Sequence, residues 1–120
     1  MPDQTGYLND RSGIALARWD ARTRAAVRRL LSTEVIAEHQ RDPRGHHSDT
    51  LKRILDYFRR SSVLTPYVVI CSEPFREWRV ARLSGVRGQA PVFVDEQTFK
   101  SETEAIHAVF LKRVAEIMRG

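Results

Sequence analysis

The stretch from residue 101 to residue 119 constrains the fold more than any other part of this chain. Ser101 and Glu104 have the Ser-x-x-Glu spacing of a capping box, in which the serine hydroxyl accepts from the Glu104 amide and the Glu104 carboxylate reaches back. At about 100° of rotation per residue, the apolar residues that follow share one broad helical arc: Ile106, Val109, Phe110, Leu111, Val114, Ile117 and Met118. The sequence therefore predicts a C-terminal helix at the centre of a core.

Two polar residues, His107 and Arg113, fall within or near this apolar arc. A buried polar group needs a hydrogen-bond partner, because leaving it unsatisfied costs about 1–3 kcal/mol. One interpretation is a core histidine together with an arginine whose charged end reaches water. The other is that the helix docks against a second protein chain that supplies both partners.

Length and composition predict one globular domain. A chain of 120 residues, 42% hydrophobic and 29% charged, can bury a core without disulfides. No apolar run approaches the roughly 18 residues of a membrane span, and the first residues lack the basic and apolar regions of a secretory signal. With a single cysteine, Cys71, these features predict a cytoplasmic protein without a membrane segment.

The N-terminal half reads as an extended arm over residues 1–13 followed by three helices. The first is predicted from Ile14 to Leu31, with Leu16, Trp19, Thr23, Ala26, Val27 and Leu30 on its apolar face. Ser32 and Thr33 are candidate N-caps for a short second helix through Gln40, which the turn at residues 42–45 ends. Ser48 is the candidate cap of a third helix that runs to about Ser61.

The second half loses the helical period and predicts a small sheet. Residues 67–71 form a largely β-branched run that favours a strand buried on both faces, residues 78–83 a return strand, and residues 92–94 a third strand at the edge, because Pro91 precedes it. The expected fold class is α+β: N-terminal helices, a three-stranded antiparallel meander and the C-terminal helix packed on the sheet. Residues 14–120 are predicted to form this one domain.

A basic face on the first helix is the strongest chemical signal in the sequence. It carries Arg18, Arg22, Arg28 and Arg29, and the net charge of the chain is +5. Asp20 offers an i,i+4 partner to Arg24 but not to this group. The face fits an acidic protein surface, a nucleic-acid backbone, or simply solvent. Together with His107 and Arg113, these four arginines are the candidate partner-interface residues.

Catalytic and metal signatures are weak. His39, Asp42, His46, His47 and Asp49 are possible metal ligands that lie close in sequence, but their spacing matches no regular zinc pattern. A cysteine inside an apolar β run is usually inert core, which is the expectation for Cys71. No catalytic residue and no metal site are therefore predicted on this chain.

Several stretches resemble the small (alpha) subunit of N,N-dimethylformamidase. They lie in the same order along the chain, at residues 37–39, 42–45, 51–59, 67–83 and, most specifically, 99–113. The resemblance covers roughly residues 34 to 114.

This resemblance implies an accessory subunit of a heteromeric amidohydrolase. In that family the mononuclear iron and the hydrolytic chemistry lie on a much larger partner subunit, so no cofactor is expected on this chain and no catalytic residue carries over. His107 and Arg113 would hold the C-terminal helix in its own core or against the large chain. The alternative from another class is a stand-alone basic module that binds nucleic acid.

Overall fold

The described part of the chain folds as three helices, three strands and a final helix. The computed structural model describes residues 3–61 and 63–119, with side chains from residue 14 onward. In chain order the elements are α1 (Asp3–Leu30), α2 (Thr33–Arg41), α3 (Asp49–Arg60), β1 (Tyr67–Glu73), β2 (Glu77–Arg82), β3 (Val92–Phe93) and α4 (Glu102–Arg119). This order confirms the predicted α+β class.

Three serines begin three of the helices, as the sequence predicts. Ser32, Ser48 and Ser101 each accept, at 3.2 Å through the side-chain oxygen, a hydrogen bond from the amide three residues ahead. These bonds satisfy donors that the first helical turn leaves without partners. The capping box of α4 is only half formed, because among the described residues the Glu104 carboxylate makes no return bond to the Ser101 amide.

Helix α1 begins well before the predicted residue 14. Its backbone is helical from Asp3, so residues 3–13, expected as an extended arm, continue the helix instead. The glycines in this segment lower helix propensity by about 1 kcal/mol each without forbidding a helix, and no proline interrupts it. Residues 1–2 lie outside the described residues, and the division into an arm and a single domain stays a prediction.

The three strands form an antiparallel sheet in the order β1-β2-β3, with β3 at one edge. Helix α4 packs against β1 and β2. The prediction that β1 is buried on both faces was wrong: its side chains are half-buried or exposed, and Cys71 is exposed. The reason is that a single helix covers this small sheet from one side, and no second layer is present in the described part of the chain.

The hydrophobic core lies where the four helices meet. Its buried members are Val27, Val35, Leu51, Ile54, Tyr57, Phe58, Leu64, Phe110 and Ile117. Helix α4 contributes the last two, as the apolar arc predicts. The arc is wider than the surface that the neighbouring helices cover, so Leu111 and Met118 at its margins are exposed, and Leu16 on α1 is exposed as well.

Candidate functional site

Two buried histidines join α2 to α4. The Nδ1 atoms of His39 and His107 lie 2.8 Å apart, and the side chains are 2% and 9% exposed. The His39 ring also stacks on Phe110, with ring centroids 4.0 Å apart. One Nδ1 must therefore donate to the other, and each histidine satisfies the buried nitrogen of its neighbour.

Both histidines are held in the neutral form. Burial, followed by unfavourable electrostatic interactions with His107 and His47, lowers the pKa of His39 to about 4. Burial also lowers the pKa of His107. A group with a pKa near 4 binds a proton too weakly to be an efficient general base at neutral pH. The pair is therefore better suited to holding α2 and α4 together than to proton transfer.

Of the other possible metal ligands, His47 lies beside this pair, with its ring centroid 6.0 Å from that of His39. His47 Nε2 hydrogen-bonds the Asp42 backbone carbonyl at 2.8 Å, and His46 is exposed. Across the part of the chain that the structure describes, no group of three or more His, Cys, Asp or Glu side chains could hold a metal ion. Cys71 Sγ lies 3.2 Å from the Glu73 carbonyl, and the thiol is not in the apolar core where the sequence predicted it.

The arginines of α1 separate into two groups. Arg18, Arg22 and Arg29 are exposed, and within the described residues none of the three forms an ion pair or a side-chain hydrogen bond. Arg28 is half-buried, and its Nε donates to the Ile117 carbonyl at 2.8 Å. That bond satisfies a carbonyl in the last turn of α4, where a cation also complements the helix dipole. Arg28 therefore ties α1 to α4 within this chain.

Arg113 and Glu116, both on α4, each have one buried polar atom without a hydrogen-bond partner among the described residues. Arg113 donates to the Tyr67 carbonyl at 3.5 Å, while its Nε is buried without a partner. Burial lowers the pKa of Arg113 against the opposing attraction of Glu116. Glu116 accepts from the Thr65 amide and hydroxyl with one oxygen, and its other oxygen is buried without a partner.

The sequence-predicted interface residues thus have different surroundings. Arg28, His107 and Arg113 make contacts within the chain, whereas Arg18, Arg22 and Arg29 are exposed. A role for any of the six in binding a partner stays a prediction.

A buried polar cluster around Asp20 was missed by the sequence analysis as a structural site. Asp20 Oδ1 accepts from the Tyr57 hydroxyl at 2.8 Å and from the Ser61 hydroxyl at 2.7 Å. Arg24 donates to the Tyr57 oxygen at 3.3 Å and lies 3.9 Å from Asp20. This hydrogen bond to Tyr57 is the main cause that raises the pKa of Arg24. The available signal was an acidic residue next to Trp19 on the apolar face of α1.

Two open grooves flank α4. The larger, about 700 Å³, lies between the end of α2 and α4 and presents Pro43, Phe99 and Leu111 beside His107. The smaller, about 250 Å³, lies between α3, β1 and α4 and includes Arg113. Among the described residues, no hydroxyl or thiol is hydrogen-bonded to a histidine, so neither groove contains the base-activated nucleophile of a covalent hydrolase.

Within the described ranges, none of the helices combines the length and the apolar character needed to cross a bilayer.

Comparison with known proteins gives a consistent match along almost the whole chain. Residues 14–120 match the family model described as the N,N-dimethylformamidase alpha subunit. The N,N-dimethylformamidase alpha subunit of Paracoccus aminophilus is 35% identical over 124 residues, which cover 98% of this chain and 84% of the relative. The protein of the same name from Alcaligenes sp. is 34% identical over 122 residues, covering 96% and 89% of the two chains.

Proposed function

Since the chain belongs to the N,N-dimethylformamidase alpha subunit family, we propose that it is the non-catalytic small subunit of a dimethylformamidase-like amidohydrolase. The observation that carries the proposal is the family match over residues 14–120. The word subunit in the names of both relatives supports assembly with at least one further chain. The proposed location, the cytoplasm, stays a prediction of the sequence.

The chemistry is proposed to lie on a larger partner subunit. An iron centre needs several ligands converging on one point, and no three suitable side chains converge in the described residues of this chain. The residues present therefore do not fit an iron site, and no step of the reaction is assigned to them. The proposed role of this chain is to support the folded state and the assembly of the catalytic subunit.

The proposed contact surface includes the outward face of α1, where Arg18, Arg22 and Arg29 are exposed. These three guanidinium groups carry no neutralising neighbour in the described structure, so they are available to an acidic surface. Arginine is well suited to such contacts, because its planar group forms paired hydrogen bonds with carboxylates. The same face supports the second candidate function, binding of nucleic acid through phosphate contacts.

The proposal is tested by native mass spectrometry of the tagged chain purified from its own cells. The expected result is a complex with one larger chain that contains iron and hydrolyses a small formamide. A lone monomer would contradict the subunit assignment. Nucleic acid that dissociates steeply with rising salt would favour the second candidate, because each phosphate contact releases counterions.

Charge reversal on α1 tests the contact surface. We expect Arg22→Glu combined with Arg29→Glu to weaken assembly with the larger chain at least tenfold and to leave the melting temperature of this chain nearly unchanged, because both side chains are exposed. The matched control is Arg82→Glu with Arg87→Glu, which makes the same change of charge on another exposed surface. Equal assembly of both double variants would remove the α1 face from the interface.

A further inference from the structure

The hairpin between β1 and β2 turns through a tight, well-defined loop. The Arg76 amide donates to the Glu73 carbonyl at 3.0 Å, which leaves Pro74 and Phe75 at the two central positions. Proline fixes φ near about −65° at the first position, and Phe75 has a φ of 61° at the second. A negative followed by a positive φ is the pattern of a type II turn, which favours glycine or asparagine at the second position.

Phenylalanine is therefore an unfavourable residue for this position. Among the described residues, Phe75 is the one non-glycine side chain at positive φ. A bulky residue in this region is a conformational outlier, and such outliers cluster at functional sites. Two features hold the turn in place. Strands β1 and β2 pair on either side of it, and the Ser72 hydroxyl donates to the Glu77 carboxylate at 2.6 Å.

Packing within the chain does not compensate for this conformation. The Phe75 side chain is 92% exposed, the most exposed of the large apolar residues in the described structure. Its neighbours Glu73, Pro74 and Arg76 are exposed too, so the ring stands at the tip of a projecting hairpin. Neither the local backbone nor the core of this chain accounts for an aromatic ring here.

We propose that Phe75 is an anchor residue that inserts into an apolar pocket on the larger partner subunit. The inference rests on the proposed function. It adds a second contact with the partner subunit, separate from the basic face of α1. A single aromatic ring with Glu73 and Arg76 beside it has the composition of an interface hot spot, an apolar centre surrounded by polar residues. Burial of the ring in an apolar pocket removes a large apolar surface from water, which favours binding.

The partner subunit is a better occupant than a second copy of this chain. The family relatives are named as one subunit of an enzyme, so a different chain is expected against this one. If Phe75 instead entered a groove on an identical chain, either the two copies would exchange the contact reciprocally in a two-fold dimer or the contact would propagate into a ring or a filament. Concentration-dependent oligomers of this chain would therefore identify the second copy as the occupant.

The test replaces Phe75 by glycine, the residue that the turn favours. We expect Phe75→Gly to keep or raise the melting temperature and to weaken assembly with the iron-containing larger chain about 30-fold or more, the scale of a hot-spot residue. Phe75→Asn, which also tolerates positive φ, should behave in the same way. Phe75→Leu should retain most of the binding, because it keeps an apolar side chain.

The matched control is Val86→Ala, which trims another exposed apolar side chain, 56% exposed, in the loop after β2. We expect this variant to assemble as the wild type does. Unchanged assembly of a folded Phe75→Gly variant would overturn the anchor while leaving the subunit proposal in place. A wild-type chain that purifies without any larger iron-containing chain would overturn both, and loss of homo-oligomers in Phe75→Gly would overturn the anchor in favour of a second copy.

Discussion

The helical part of the molecule and its small sheet differ in how much of their apolar surface is buried. Between the helices, Leu51, Ile54 and Ile117 are fully buried. On the sheet side, Phe93 is 42% exposed and Phe75 is 92% exposed. The helices enclose most of their apolar residues and expose only marginal ones such as Leu16 and Met118, whereas the sheet buries Val80 and Ala81 and leaves its two phenylalanines uncovered. We therefore expect the helical part to supply more of the stability of the chain than the sheet does.

The largest expected loss of stability comes from a change in the helical part. Phe110 is 2% exposed and packs against His39 and Phe58. We expect Phe110→Ala to lower the free energy of unfolding by about 3–5 kcal/mol, the usual cost of deleting a buried phenylalanine ring. The measurement is urea unfolding of the purified chain.

Phe93→Ala is the matched change on the sheet. Phe93 is partly exposed and its ring lies 3.8 Å from the Arg79 guanidinium carbon, so we expect a loss below about 1 kcal/mol. Similar losses at positions 93 and 110 would contradict the distinction between the two regions.

Removing Asp20 tests whether buried polar groups also support the helical side. We expect Asp20→Ala to cost about 2–3 kcal/mol, because the Tyr57 and Ser61 hydroxyls lose their acceptor where water is largely excluded. Asp56→Ala is the control, since its ion pairs with Arg59 and Arg60 are exposed and such pairs contribute below about 1 kcal/mol. An equal effect of both variants on the urea midpoint would show that burial of Asp20 adds nothing.

Lowering the pH should weaken the join between α2 and α4. In the unfolded chain each histidine has a pKa of about 6.5, whereas burial lowers the pKa of His39 to about 4 in the fold. Between these values the unfolded chain binds a proton that the native chain does not. Stability is therefore fully present above about pH 6.5 and decreases as the pH falls towards 4, by about 2 kcal/mol at pH 5 from His39 alone.

Two variants separate this effect from the general loss of stability in acid. His39→Gln should make the free energy of unfolding depend less steeply on pH between pH 7 and 5, because this variant lacks the buried imidazole whose pKa the fold lowers. The control His46→Gln, at an exposed histidine, should keep the wild-type slope. Parallel pH profiles for the wild type and His39→Gln would show that the buried pair does not govern acid stability.

Local signals in the sequence predicted much of this fold. The caps at Ser32, Ser48 and Ser101 depend on bonds to amides three residues away, and the positions of the strands follow from short β-branched runs and turn residues. The burial of individual side chains was less predictable, as the exposed Leu111 and Cys71 show, because it depends on what the rest of the chain places beside them. A periodic pattern shows which side chains share an apolar face, but not how much of that face the other elements bury.

Long-range pairings could not be read from the sequence. His39 and His107 are 68 residues apart, and nothing local distinguishes a histidine that meets another histidine from one that meets a second chain. The Arg28 bond to Ile117 spans 89 residues. The unusual φ of Phe75 also required the structure, because the sequence shows only a turn containing proline.

The position of α4 has a consequence for how the chain is made. Helix α4 supplies Phe110 and Ile117 to the core, yet it follows every other element in the chain. During synthesis the N-terminal segments leave the ribosome first, so the apolar faces of α1 and α3 emerge before the helix that covers them. The nascent chain therefore passes through a period of exposed apolar surface, in which chaperones or an early-arriving partner would protect it from aggregation.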